Sequence, residues 1–168
     1  SKGYDHGNIF MRDAVKFSCN GYFYRFGNEA GIRNIHQLTK WMGLGEKSGI
    51  PLNNEDPGLV PNPEWKLAQG LGRWGQSDTA QVSIGQGATE ATPLQMASVA
   101  AAVANRGMCY KPKLIHKIVE NGIERRNDPV LRFDLSQVIP PSKIELCRSG
   151  MWDVVNAERG TAGRARSE

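Results

Sequence analysis

Apolar residues along this chain recur mostly at helical spacing. The clearest case is residues 92–107, TPLQMASVAAAVANRG. Thr92 stands where a helix N-cap belongs, Pro93 at the first helical position and Gln95 three residues after the cap. That pattern pairs the cap and the third residue reciprocally and so satisfies two otherwise unpaired N–H groups. Leu94, Ala97, Ala101 and Ala104 repeat with a helical period, with Met96, Ala100 and Val103 alongside. A mostly buried helix is expected, stopped by Gly107 as a left-handed cap. The same periodicity predicts a helix over 8–17, with Asn8 as cap and Ile9, Phe10, Ala14, Val15 and Phe17 as its apolar positions. A second covers about 20–30, carries Tyr22, Phe23 and Phe26, and stops at Gly31. A third starts at Asn34, with Gln37 as capping partner, and turns Ile35, Leu38, Trp41 and Met42 inward as far as Gly43. Glycine, proline and asparagine then punctuate 43–65, which reads as loop, before a short helix at 63–69. Beyond 107 the period shortens. Residues 113–120 alternate in part and end at Asn121-Gly122, a strong hairpin signal. A last helix is expected from Ser142, with Glu145 completing its capping box, to about Asn156.

This order implies an α+β fold dominated by helices. Residues from about 1 to 107 form the helical portion, and those from about 108 to 168 form a short β excursion and a terminal helix. At 168 residues the chain is long enough for one domain with a core. Its 39% hydrophobic and 23% charged content fits a globular chain rather than a disordered one. The net charge of +4 is mild and dispersed, which argues against a nucleic-acid partner. The densest basic cluster, Arg159, Arg164 and Arg166, reads as a solvated tail. No apolar run reaches the roughly 18 residues of a membrane span, and no secretory leader is visible. Three cysteines, Cys19, Cys109 and Cys147, show no CxxC spacing, so neither a disulfide framework nor a zinc finger is expected.

Four short features bear on chemistry. Gly70 to Gly75 matches GxGxxG, but the preceding PEWKLAQ is polar and helix-like, and Trp74 sits inside the loop; a dinucleotide fingerprint needs a strand there. Gly85-Gln86-Gly87 allows a tight turn or a close backbone approach. His6 and Cys19 are a close pair of metal-type ligands, thirteen positions apart, while His36 and His116 read as surface residues. Ser18-Cys19-Asn20 falls at the break between two helices. On local grounds Ser18 satisfies the end of the first and Asn20 caps the second.

Taken in order, SCNGYFYRFGNEAGI, WMGLGEKSGIPL, GLVPNPEW, SIGQGATEATPLQMASVAAAVANRG and KPKLIHKIV resemble the transpeptidase domain of class B penicillin-binding proteins. The likeness is greatest to the elongation-type penicillin-binding protein 2 group. It runs collinearly over about residues 3–163, and its most specific part is IGQG, TPLQM and ANRG. The resemblance implies a penicillin-binding, β-lactamase-like domain in which a helical subdomain packs on an antiparallel sheet. It also implies a D,D-transpeptidase that cross-links peptidoglycan. A serine attacks the penultimate D-Ala carbonyl of one stem peptide, expels the terminal D-Ala and passes the acyl group to an amine on another strand.

Such enzymes work through SxxK, SxN and KTG motifs. A serine hydroxyl is a poor nucleophile until a lysine takes its proton. Further hydroxyl and cationic groups relay protons, and backbone N–H groups stabilise the oxyanion. Ser18 and Asn20 match SxN. By resemblance, Ser18 belongs to the proton relay toward the leaving amine. Asn20 hydrogen-bonds the substrate amide and helps hold the nucleophile's lysine. None of the nine lysines has a serine three positions earlier, and KTG is absent. Residues 159–163, RGTAG, contain a Thr and a Gly in the wrong order, like a segment that precedes KTG in the family. The expectation is therefore a piece beginning after the nucleophile helix and ending before the KTG strand, inactive by itself.

Some elongation-type members carry a zinc site of two Asp, a His and a Cys near SxN. His6 and Cys19 match its His and Cys, and the aspartates would lie before Ser1. Acyl transfer requires no cofactor, so zinc would be structural. The implied partners are stem peptides, β-lactams, a glycosyltransferase and elongation-complex membrane proteins. The implied location is the periplasmic face of the bacterial inner membrane. The alternative is a catalytically dead homologue serving as a scaffold in the wall-synthesis complex, and a generic helical binding module would make the collinear match a coincidence.

Overall fold

The computed structural model describes residues 7–166. Seven α-helices and four short strands follow one another among these residues: α1 Met11–Lys16, α2 Asn20–Ala30, α3 Ile32–Trp41, α4 Pro63–Ala68, α5 Gln76–Val82, α6 Pro93–Ala104, β1 Met108–Tyr110, β2 Lys117–Glu120, β3 Ile123–Arg126, β4 Leu131–Asp134 and α7 Pro141–Asn156. The α+β class and the dominance of helix stand as expected.

Helix starts were read unevenly. In α6 the Thr92 hydroxyl accepts from the Gln95 N–H, and Gln95 Oε1 accepts from the Thr92 N–H at 2.8 Å. Helix α4 likewise starts at Pro63 as expected, behind Asn62, whose side chain accepts from the Trp65 N–H. The starts of α1, α2, α3 and α7 differ from expectation. Phe10, not Asn8, precedes α1, and Cys19, not Asn20, precedes α2; neither contributes a side-chain cap. Helix α3 begins at Ile32, and Asn34 instead donates backward to the Ala30 carbonyl. Helix α7 begins at Pro141, and Glu145 is taken by Arg148 rather than by a cap. The reason is common to these cases. A polar residue near a helix start caps it only if the incoming chain is extended at that residue, and tertiary packing sets that direction. Helix α5 was not foreseen. Its seven residues, QSDTAQV, carry too few apolar positions to show a period.

Most helix ends share one geometry, α2 and α7 excepted. In α3, α4 and α5 the residues after the helix are Gly43, Gly70 and Gly85, all at positive φ. The residue beyond each donates back across the turn, as Leu44 does to the Thr39 carbonyl, Leu71 to Lys66 and Gln86 to Gln81. These are Schellman ends, in which a left-handed residue lets the chain satisfy orphan carbonyls. Helix α6 ends the same way, with Arg106 (φ 55) at the first left-handed position and Gly107, itself at φ 101 as expected, donating to the Ala102 carbonyl. Gly107 is required for space as well as for its φ: a Cβ there would lie 2.8 Å from Ile144 Cδ1.

The core is small. Ala102, Cys109, Leu135 and Ile144 form its buried cluster, with Leu38, Trp41, Met42, Phe133 and Ile139 packed around it. Trp41 stacks flat on Phe133 at 4.6 Å. Strands β1 and β4 pair antiparallel beside α6 (Met108↔Asp134, Cys109↔Phe133). Strands β2 and β3 form the expected hairpin about Asn121 and Gly122, both at positive φ, and it projects with every residue exposed. Helix α6 is less buried than its composition suggests. Met96, Ala97, Ala100, Ala101 and Ala104 share an exposed face, uncovered among the described residues. The buried side of α6 is anchored by Gln95, which is 2% exposed. Its Nε2 donates to the Glu46 and Pro57 carbonyls at 2.9 and 2.8 Å, so one side chain both caps the helix and clamps the 43–58 loop.

Candidate active site

Ser18, Cys19 and Asn20 form the junction between α1 and α2. Helix α1 closes with the same Schellman geometry as α3 to α5: Ser18 N–H donates to the Val15 carbonyl at 3.1 Å and Cys19 N–H to the Ala14 carbonyl at 2.9 Å. The left-handed residue here is Ser18, at φ 51. An L-residue in that region costs about 1–2 kcal/mol that glycine avoids. The turn displays the Ser18 hydroxyl on the surface, leaves Cys19 half-buried, and sends Asn20 outward at the first residue of α2.

Two other segments frame this junction. On one side, α2 packs on α5 through Gly27, where a Cβ would meet the Ser83 side chain at 2.4 Å. The Ser83 hydroxyl lies 3.0 Å from the Phe23 carbonyl and 2.6 Å from that of Ala80. This contact sets the Gly85-Gln86-Gly87 loop beside α2. Asn20, Tyr24, Gln81, Ile84, Gln86 and Gly87 line an open cleft of about 460 Å³. On the other side, α1 packs on α7. Gly150 leaves room for Val15, whose Cβ would lie 3.0 Å from an added Cβ. Arg12 makes a two-pronged ion pair with the buried Asp153 carboxylate, Nη2 reaching Oδ1 at 3.0 Å. The Arg12 guanidinium holds the Asp153 carboxyl below its ordinary value.

Beyond α7 the chain turns back, and residues 159–163 meet the Ser18 turn. Thr161 Oγ1 lies 3.1 Å from Ser18 Oγ, and Arg159 covers the Phe17 ring at 5.6 Å. The arginines of the expected solvated tail are thus partly engaged. Arg166 also reaches the Asn156 carbonyl at the end of α7.

A model of the penicillin-binding protein transpeptidase domain matches residues 1–168. The chain belongs to the penicillin-binding protein transpeptidase family. It is 43% identical over 110 residues to the peptidoglycan D,D-transpeptidase MrdA of Acinetobacter baumannii, covering 66% of this chain and 16% of that protein. The MrdA of Haemophilus influenzae is 34% identical over 160 residues, covering 95% of this chain and 24% of that protein. Among solved structures, the chain is similar to penicillin-binding protein 2 of Helicobacter pylori in its complex with MreC (TM-score 0.79, 32% identity, 95% of this chain and 28% of that one). It is also similar to Pseudomonas aeruginosa penicillin-binding protein 2 in complex with WCK 5153 (TM-score 0.81, 29% identity, 99% of this chain and 40% of that one). The chain thus spans a quarter or less of the length of these two curated relatives.

Within this transpeptidase chain the other sequence candidates fall into place. The GxGxxG run follows α4 rather than a strand. Gly70 ends α4, and Gly75 opens α5 by donating to Asp78 Oδ2 at 2.7 Å. Lys66 binds both Asp78 oxygens at 2.7 Å and holds that carboxyl below its ordinary value. His6 lies outside the described residues. Of the expected His6 and Cys19 pair only Cys19 is therefore described, and among the described residues no three His, Cys, Asp or Glu side chains come together as a metal centre. Burial raises the Cys109 and Cys147 thiols, which keeps both protonated at neutral pH. No helix of the described residues is long and apolar enough to cross a membrane. Sequence reasoning missed the partnership of Ser18 with Thr161. The Gly-Thr pair in RGTAG was its one local sign.

Proposed function

We propose that this chain supplies the SxN element of a penicillin-sensitive peptidoglycan D,D-transpeptidase of cell elongation. The observation that carries the reading is the α1–α2 junction, where a left-handed serine presents its hydroxyl two residues before an outward-facing asparagine. In the reaction, a serine oxygen bonds to the penultimate D-Ala carbonyl carbon and its proton passes to a lysine; both groups belong to the SxxK motif outside this chain. The C–N bond to the terminal D-Ala then breaks. Ser18 carries the proton to the departing amine, its own hydroxyl donating as it accepts. Asn20 aligns the stem-peptide amide through its carboxamide. An amine of a second strand then bonds to the ester carbonyl carbon, the C–O bond to the serine breaks, and the proton the amine gives up returns through the relay to the serine oxygen. These steps need no cofactor.

The MrdA and penicillin-binding protein 2 likenesses support action at the periplasmic face of the inner membrane, beside wall-synthesis proteins. One similar structure holds MreC, and another belongs to a peptidoglycan synthase complex (27% identity, TM-score 0.76). A glycosyltransferase is the finer partner proposed.

The test is acylation of the intact protein by a fluorescent penicillin. Ser18→Ala is expected to slow acylation roughly 10²–10⁴-fold, the usual contribution of a proton-transfer group. Wild-type protein that takes no label would reduce it to a scaffold. An unchanged rate in Ser18→Ala would remove Ser18 from the relay.

A further inference from the structure

The hydroxyl of Ser18 is held by a residue 143 positions later in the chain. Thr161 Oγ1 stands 3.1 Å from Ser18 Oγ and 3.4 Å from the carbonyl of Lys16 in the last turn of α1. Its placement is built by the backbone on either side. Gly160 is pressed against the end of α7 so closely that a Cβ would lie 2.4 Å from the Asp153 and Val154 carbonyl oxygens. Ala162 N–H donates to the Val154 carbonyl at 2.9 Å, and Gly160 N–H to that of Ala157 at 3.1 Å. Arg159 adopts a left-handed φ of 61 and lies over Phe17, the residue before Ser18. Two left-handed turns, at Ser18 and Arg159, thus face each other and bring two hydroxyls into contact.

A threonine hydroxyl has one proton and two acceptor sites. When Thr161 donates to the Lys16 carbonyl, it can accept the Ser18 proton. When Thr161 donates to Ser18 Oγ, the Ser18 proton is free to be given outward. Exchange between these arrangements moves no heavy atom and leaves the Ser18 oxygen in place. A relay serine needs this property, because it must accept from one side and donate to the other without losing its position.

We propose that Thr161 is a positioning residue for Ser18. It fixes the serine oxygen in the relay geometry and offers the alternate acceptor through which the hydroxyl reverses its donor direction. The proposal rests on the transpeptidase reading above, and its test separates the two.

Acylation and amine transfer are measured on the intact protein for Ser18→Ala, Thr161→Val, Thr161→Ser and the double variant Ser18→Ala/Thr161→Val. Thr161 is exposed, and valine preserves its shape, so folding is checked by the melting temperature alone. Thr161→Val is expected to lower the acylation rate about 10–100-fold, the effect of mispositioning a reacting group. Penicillin affinity before acylation should be unchanged. Thr161→Ser should restore the rate to within about threefold of wild type. The double variant should be no slower than Ser18→Ala, because Thr161 acts through that serine. A Thr161→Val rate equal to wild type overturns the proposal, as does a loss that serine does not rescue or one that multiplies fully with Ser18→Ala. If Ser18→Ala itself acylates normally, the relay reading fails instead. If Thr161→Val lowers the melting temperature markedly, Thr161→Ser and the double-variant comparison, read at a temperature where all variants are folded, still decide.

Discussion

Helices α1 and α3 end in the same backbone motif, yet α3 puts glycine at its left-handed residue and α1 puts serine. Gly43 is at φ 92 and Ser18 at φ 51, each followed by a residue that donates back to close the turn. Glycine holds the same place after α4 and α5, and Arg106 holds it after α6. Stability alone would favour glycine after α1 too, since a side chain in the left-handed region costs about 1–2 kcal/mol. A net hydrogen bond of roughly 1 kcal/mol, here to Thr161, is of a size to offset much of that cost. The two ends differ in what they present. The α3 end closes a helix and leads into a loop, whereas the α1 end closes a helix and displays a hydroxyl. Strained residues are enriched at functional sites, which fits the relay role proposed for Ser18.

The largest test of the contrast is Ser18→Gly in the intact protein. Acylation is expected to fall roughly 10²–10⁴-fold, as for any loss of the hydroxyl. The melting temperature should stay level or rise, because glycine fits the turn. A fall in melting temperature as large as that of Ser18→Ala would mean that the left-handed conformation carries no cost here.

The reverse exchange at the other helix end is smaller. Gly43→Ala should lower unfolding stability by about 1–2 kcal/mol in denaturant titrations, since the position needs φ 92 while an added Cβ would meet the Arg132 guanidinium only at an ordinary contact distance of 3.4 Å. No loss would show that the turn relaxes, and would weaken the comparison at its root.

The smallest effect concerns what holds the α1 end against α7. Asp153 has its carboxyl lowered below the ordinary value of 3.8 by the Arg12 hydrogen bond. A group lowered in the folded state stabilises above its unfolded value and loses that contribution as pH falls through its folded one. The melting temperature should therefore drop on acidification below about pH 4. Arg12→Gln should flatten that part of the profile. An identical acid limb in both proteins would remove the pair from the account.

Legibility in the sequence followed the range of the forces involved. The start of α6 was readable because Thr92, Pro93 and Gln95 act within one turn, and the 121–122 hairpin because its turn chemistry is local. The starts of α1, α3 and α7 were not, because their caps depend on the direction from which the chain arrives. Gln95 shows both sides: its capping bond was foreseen, and its grip on the Glu46 and Pro57 carbonyls was not. The exposure of the Ala-rich face of α6 was also unforeseen, since composition reports what a helix can bury and not what is there to cover it.

By itself the sequence determined the family, the helix-dominated class, the order of the main elements and the Ser-x-Asn triplet. All are properties of residue type and near spacing. Only the tertiary structure decided that Ser18 sits in a left-handed turn, that Asn20 shares a cleft with the Gly85-Gln86-Gly87 loop, and that Thr161 meets the serine hydroxyl. These depend on Gly27, Gly150 and Gly160 letting segments far apart in the chain approach closely, and packing at close range leaves no periodic trace along the chain.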